Sequence, residues 1–312
     1  MPAAHPALPV IDDAAIASLL DYRGVEATLA EALTDLAAGR AQAFARQRID
    51  CGDVKLSAMG GIWLARRVAG IKSYPTVSGQ FSFVMNLFDL QSGGAPIVLP
   101  GAELTRFRTA AIATLAARRM NARARPRIAL FGFGVQGRSI AEALRDLEPS
   151  QLAIVDPGAS RERIADFAEG AGCAVRACDA REAVGDADIV VTATRSKTPV
   201  FDGEWLQPGA SVIAIGTSLP TGRELDDTTM QRAARVIVEW KPQSLVEAGE
   251  VVLAQASGAL DGTAKIVDLP QVFGGEQPWR AAADEIVVFK SVGLGLCDVA
   301  AAWLAHTRRN AR

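Results

Sequence analysis

The sequence predicts an α/β protein whose larger part is a Rossmann-type, doubly wound parallel sheet. Three observations lead there. A short apolar run, Ile128–Phe131, is followed at once by Gly132, Gly134 and Gly137, and then by residues with helical apolar spacing from Ser139 to Leu144. From Arg127 onward, apolar runs and helical stretches alternate, as a parallel sheet with crossover helices requires. The first 120 residues carry no nucleotide motif, which leaves them to form a second part of the molecule.

The glycine turn has a physical rationale. Gly132 permits the tight turn, Gly134 lets a pyrophosphate approach the backbone, and Gly137 lets the helix pack on the strand. The N-terminus of the helix that follows adds free N–H groups and a partial positive charge for the phosphates, and Val135 and Gln136, within the turn, are further candidates to contact the cofactor. Asp156 closes the next apolar run, Leu152–Val155, and lies 156 − 132 = 24 residues beyond the first glycine, the place for an acid that holds ribose hydroxyls.

The remaining strands of this part are expected near 174–176, 189–193, 211–215 and 235–238, with helices near 138–147, 160–170, 180–185 and 224–233. Ligands of such sheets bind beyond the carboxyl ends of the strands. Thr192, Ala193 and Thr194 after one strand, and Gly216 and Thr217 after another, are therefore candidates to face a nicotinamide. Past residue 240 the periodicity weakens until Phe289–Asp298 leads into a last helix, Val299–Ala305.

In the first part, Asp12-Asp13 can cap a helix carrying Ile16, Leu19 and Leu20, and a second helix begins at Gly24 and ends near Gly39. Residues 41–60 read as extended. A hairpin is expected from Gly79–Asp89, a turn at Gln91-Ser-Gly-Gly and a partner strand Ile97–Leu99. Glu103–Asn121 reads as a helix, with Arg118 and Arg119 where cations suit the dipole.

Composition excludes several classes. A hydrophobic fraction of 49% supports a full core over 312 residues, and a net charge of −2 gives nucleic acid no reason to bind. No apolar run is long enough to span a bilayer, and Met1-Pro-Ala-Ala-His-Pro lacks the basic and apolar segments of a signal peptide, so a cytoplasmic protein is expected. The four cysteines, Cys51, Cys173, Cys178 and Cys297, lack metal or redox spacing and are expected as reduced, mostly buried thiols. Only His5 and His306 are histidines, both close to the termini, which argues against a histidine triad, a histidine-ligated metal or a histidine acid/base. Proton transfer then falls to Lys, Asp, Glu, Tyr or water.

The chain resembles the ornithine cyclodeaminase/μ-crystallin family. The resemblance rests on Gly70-Ile-Lys72, Leu104-Thr-Arg-Phe-Arg108-Thr-Ala-Ala, Gly132–Gly137, Asp188–Thr194, Gly203–Gly209, Arg223-Glu-Leu-Asp226 and Phe289-Lys-Ser-Val-Gly293, in family order from about residue 45 to the C-terminus. It implies a split α+β substrate and dimerisation domain, 1–122 with 290–312, around an NAD(P)-binding domain, 123–289. It implies a homodimer and small α-amino or cyclic α-imino acid substrates. Carried over residue by residue, it makes Arg48 and Arg108 a clamp for the substrate carboxylate and Lys72 the acid/base at the reacting nitrogen and carbon.

One departure from the family pattern bears on the reaction. Cyclodeaminases carry an aspartate in Gly-x-Asp-x-Pro; here Gly216-Thr-Ser218-Leu-Pro220 places Ser218 there, as in the imine reductases. A serine hydroxyl is no base at neutral pH, which argues against ring-forming deamination. The resemblance thus implies foremost an NAD(P)-dependent oxidoreductase of ketimine acids, next a cyclodeaminase with bound NAD, and last a ligand-binding crystallin-like protein. Asp156 favours NAD; Arg161 and Arg163 just beyond it are the residues that would instead pair with the 2′-phosphate of NADP.

Overall fold

The computed structural model describes residues 8–312, so His5 and the opening Met1–Pro6 run lie outside the described residues. The chain packs as two units: one runs up to Arg108 and resumes at Leu294–Arg312, and the other is Thr109–Gly293.

The first unit opens with α1 (Asp13–Leu19) and α2 (Tyr22–Ala37), each capped by an aspartate, Asp12 and Asp21. An antiparallel sheet follows: β1 (Ala41–Cys51), β2 (Val54–Trp63), β3 (Val68–Val77), β4 (Gln80–Phe81), β5 (Val84–Asp89) and β6 (Pro96–Pro100). Its order is β1-β2-β3-β5-β6; the run expected as one strand from Gly79 to Asp89 breaks at Ser82-Phe83, so that β4 pairs with β3 and only β5 forms the expected hairpin with β6. The chain then enters α3 (Gly101–Met120), whose first residues belong to this unit.

In the second unit the glycine turn follows β7 (Arg127–Phe131) and leads into α4 (Val135–Leu144). Then come β8 (Gln151–Val155), α5 (Arg161–Ala168), β9 (Ala174–Ala177), α6 (Ala180–Gly185), β10 (Ile189–Thr192), β11 (Ser211–Ala214), α7 (Asp227–Arg232) and β12 (Ala233–Val238). The region of weak periodicity folds as α8 (Lys241–Glu247), α9 (Gly249–Ala256), β13 (Ile266–Asp268), α10 (Leu269–Phe273) and β14 (Ile286–Lys290). All pairings are parallel, in the order β13-β12-β14-β11-β10-β7-β8-β9. The winding reverses between β7 and β10, where such sheets bind ligands.

Three expectations need correction. Ile286–Lys290 is a strand, fully buried between β11 and β12 rather than part of an approach to a helix. α7 begins at Asp227, capped by Asp226, so Glu224 stands on the loop before it. Only Cys297 is buried, while Cys51 is exposed and Cys173 and Cys178 are half-buried. Among the described residues, no helix is long and apolar enough to cross a membrane.

The chain returns to the first unit in α11 (Gly295–Asn310), which begins four residues earlier than its apolar spacing predicts. Glycines on the sheet let it approach closely. A Cβ on Gly295 would lie 2.3 Å from the Gly60 nitrogen, and one on Gly70 would lie 3.2 Å from the Val299 side chain. One turn further, Trp303 meets Trp63 edge-on at 5.3 Å. Gly295→Ala should therefore overpack helix against backbone and destabilise the protein by about 1–3 kcal/mol, measured by denaturant unfolding.

Candidate active site

The close seating of α11 brings Asp298 to Lys72. The Lys72 ammonium donates to Asp298 Oδ1 at 3.0 Å and to Thr105 Oγ1 at 2.7 Å. Arg108 Nε donates to the same Asp298 oxygen at 3.1 Å. Thr105 and Arg108 are three apart on α3 and so share a face. Lys72 is 1% exposed and Asp298 0%, so this is a desolvated ion group rather than a surface bridge. The Phe83 ring closes one side, 4.3 Å from the ammonium, and itself packs on Phe81 and Tyr74.

Burial is the largest influence on Lys72 and, with the Asp298 carboxylate opposing it and the Arg108 and Arg46 guanidiniums reinforcing it, lowers the pKa to about 8. Burial works the other way on Asp298, but Arg108, Lys72 and Arg46 outweigh it and hold the carboxyl below its usual range. Among the described residues, Asp298 Oδ2 has no hydrogen-bond donor although it is buried.

The structure therefore brings Lys72 and Arg108 together. Arg46, at the bulge of β1, sits against the Met59 sulfur at 3.3 Å, and Met59 is the cross-strand neighbour of Lys72. Arg48 stands one pair further along, opposite Ser57. Asp298 and Thr105 escape a reading of the sequence, yet both carried a signal: a lone acid in an otherwise apolar helix start, and a threonine one helical turn from Arg108.

In the second unit, the glycine turn fits a dinucleotide. Gly132 takes φ +88°, and a Cβ there would lie 2.7 Å from the Ala193 carbonyl oxygen. A Cβ on Gly137 would lie 1.9 Å from the Gly132 oxygen, whereas one on Gly134 would meet nothing within 4 Å. No side chain caps α4, and the Gln136 Oε1 beside its start is buried without a partner. Anions suit such a terminus. Asp156, at the end of β8, accepts from Phe133 N at 2.5 Å and from Gly158 N at 2.8 Å. Arg161 opens α5 and is exposed, while Arg163 donates to the Phe133 carbonyl at 3.1 Å.

Beyond the ends of β10 and β11, Glu224 gathers the strand-end loops. Its Oε1 accepts from Thr194 N and Oγ1, each at 2.7 Å, and its Oε2 from Thr192 Oγ1 at 2.9 Å and Gly216 N at 2.8 Å. Lys290, at the end of β14, donates to the Thr217 carbonyl at 2.6 Å and pairs with Glu250 at 2.9 Å. Glu250 in turn accepts the Glu224 N–H. Burial pushes the Glu224 carboxyl above its usual range, with Lys290 and Thr194 acting against that shift. Ser218 is half-buried in the loop that follows Thr217. Among the described residues, no group of three or more His, Cys, Asp or Glu is placed to hold a metal ion.

A parallel sheet with this strand order and a glycine turn at its reversal, together with a first unit that buries a lysine–aspartate–arginine group from β3, α11 and α3, define a protein of the NAD-binding α/β dehydrogenase-like class. The chain belongs to the ornithine cyclodeaminase/mu-crystallin family, whose model matches residues 16–312. A solved probable ornithine cyclodeaminase from Bordetella pertussis superimposes with a TM-score of 0.92 at 42% identity, covering 98% of each chain. A Delta(1)-pyrroline-2-carboxylate reductase of Bacillus cereus is 33% identical over 69% of this chain and 67% of its own length. An archaeal alanine dehydrogenase dimer with bound NAD superimposes with a TM-score of 0.88 at 25% identity, covering 97% of this chain and 96% of its own.

Removing the Asp298 charge should expose how much Lys72 depends on it. Asp298→Asn is expected to cost about 3–5 kcal/mol of stability, because it leaves buried cations without their counter-charge. It should also move the ionisation of Lys72 further below about 8, read from the pH dependence of lysine modification.

Proposed function

We propose that the protein is an NAD(P)-dependent imine reductase acting on a cyclic α-imino (ketimine) acid or, in reverse, on the corresponding α-amino acid. The observation that carries this reading is the buried Lys72 ammonium held between Asp298 and Thr105 beside the Arg108 guanidinium. Three cations, Lys72, Arg108 and Arg46, act on the single Asp298 carboxylate, so this group favours an incoming anion. The similarity to a pyrroline-2-carboxylate reductase supports the substrate class, and the NAD-bound relative supports the cofactor.

In this proposal Gly132, Gly134, Val135, Gln136 and Gly137 hold the pyrophosphate, and Asp156 holds the ribose hydroxyls. Asp156 favours NAD over NADP because its charge repels a 2′-phosphate; Arg161 would be that phosphate's partner if NADP were used. Thr192, Ala193, Thr194, Gly216 and Thr217 frame the nicotinamide end. When bound, the dinucleotide supplies a hydride to the carbon that bears the carboxylate.

Arg48 and Arg108 take the substrate carboxylate with their planar forks and orient the imine. The C=N electron pair moves to nitrogen as the carbon is reduced, and the Lys72 ammonium hydrogen-bonds to that nitrogen and supplies its proton. Ser218 offers a hydroxyl contact but no base, which separates this reaction from ring-forming deamination. The 42% identity to a probable ornithine cyclodeaminase favours that lyase as the second reading. Ammonia released from ornithine without net NADH turnover would identify it.

NADH oxidation in the presence of pyrroline-2-carboxylate or piperideine-2-carboxylate should rise well above background and be lost in Lys72→Ala; background rates across such imino acids would end the proposal. Reduction needs the protonated lysine, so kcat/KM for the imine should fall as pH rises through about 8, while oxidation of the amino acid, which needs the neutral amine, should rise through the same range.

A homodimer is part of the proposal. Phe44, Ile49, Val54, Leu56, Ile62 and Val77 are exposed on one face of the antiparallel sheet, opposite the face that packs α11. Leu56→Asp should shift sedimentation from dimer toward monomer, and an unsubstituted protein that sediments as a monomer would refute the assembly.

A further inference from the structure

Glu224 is buried, lies outside the glycine turn and makes no part of the chemistry described above. We infer that it is a positioning residue that presets the nicotinamide end of the cofactor site, an inference that rests on the dinucleotide reading. Its two oxygens tie two strand ends together. Oε1 holds the Thr194 N–H and hydroxyl beyond β10, and Oε2 holds the Thr192 hydroxyl, at the last residue of β10, together with the Gly216 N–H beyond β11. Two of these four donors are backbone N–H groups, one on each oxygen, and neither can turn away or reverse its role.

The space around these loops leaves little alternative. A Cβ on Gly216 would lie 2.2 Å from the Thr194 carbonyl oxygen and 2.4 Å from Glu224 Oε1, so the two loops already touch. The loop beyond β10 also meets the glycine turn, since the Ala193 carbonyl lies against Gly132. Glu224 is itself held from behind, its N–H bonded to Glu250, which pairs with Lys290, and Lys290 fixes the Thr217 carbonyl. The carboxylate thus joins the strand ends on one side of the winding reversal. The glycine turn and Asp156 serve the adenosine and pyrophosphate on the other side.

Glutamine has the same shape but only one acceptor oxygen, so in Glu224→Gln either Thr194 N–H or Gly216 N–H must face an amide N–H₂. The effect should fall on the nicotinamide end alone. Fluorescence titration of Glu224→Gln is expected to show NADH binding weakened by about tenfold, with ADP-ribose, which lacks the nicotinamide, bound as tightly as by the unsubstituted protein. Equal losses for both ligands, or no loss for either, would overturn the assignment while leaving the dinucleotide reading intact. An unsubstituted protein that bound neither ligand would overturn the dinucleotide reading and this inference with it. Thr192→Val keeps the side-chain shape and removes a single donor to Glu224. Should Glu224→Gln fail to fold, a loss confined to NADH in Thr192→Val supports the role, and unchanged NADH binding refutes it.

Discussion

A single carboxylate, Asp298, makes the rest of the first unit necessary. Lys72 and Arg108 are both taken out of water, and a buried cation is tolerable only beside an opposite charge with good hydrogen-bond geometry. One oxygen of Asp298 serves both cations, at 3.0 and 3.1 Å. That oxygen must come within hydrogen-bond reach of β3 from the C-terminal helix, 226 residues away in the chain. The strip of glycines on β2 and β3 is the means: a side chain at Gly61 or Gly70 would press on Leu296 or Val299 of α11, hold the helix away from the sheet and draw the carboxylate off the lysine.

The second unit uses the same device with the opposite balance of charge. Around Asp298, three cations act on one acid. Around Glu224, two acids share the Lys290 ammonium, and the donors that complete the cluster are backbone N–H and threonine hydroxyl groups. A surplus of positive charge suits a substrate carboxylate, whereas neutral donors facing a carboxylate fix loop shape without attracting an anion. The two buried clusters therefore differ in kind: one gathers a surplus of positive charge around a single acid, and the other ties backbone N–H groups of two strand-end loops to a carboxylate.

What could be read from the chain follows from how local each signal is. Gly132, Gly134 and Gly137, and an acid 24 residues later, report on a strand, a turn and a helix adjacent in sequence, and the structure has them at those positions. The β5–β6 hairpin was legible for the same reason. Ile286–Lys290 was not, because it inserts between β11 and β12 out of chain order and its apolar run passes directly into residues that lead to a helix. The expected helix near 224–233 would begin at Glu224, but Asp226 caps α7 and so leaves Glu224 on the loop before it. Asp298 carries no local mark of its partner, for nothing near it in the chain names a lysine on a distant strand.

The departure at Ser218 gains force from what lies around Lys72. A ring-forming deamination needs a base for a distal ammonium, and an oxidoreductase needs one group that holds a proton near neutral pH and gives it up readily. Burial lowers Lys72 to about 8, while Asp298 keeps it from falling further. A lysine at its ordinary value would hold its proton more tightly, and one without Asp298 would hold it less tightly than Lys72 does. Under the proposed function, this opposition of desolvation and ion pairing would give the lysine a pKa suited to both directions of an imine–amine interconversion. The chain achieves that without a histidine in the group, by carrying an acid on its final helix back to a glycine-lined sheet.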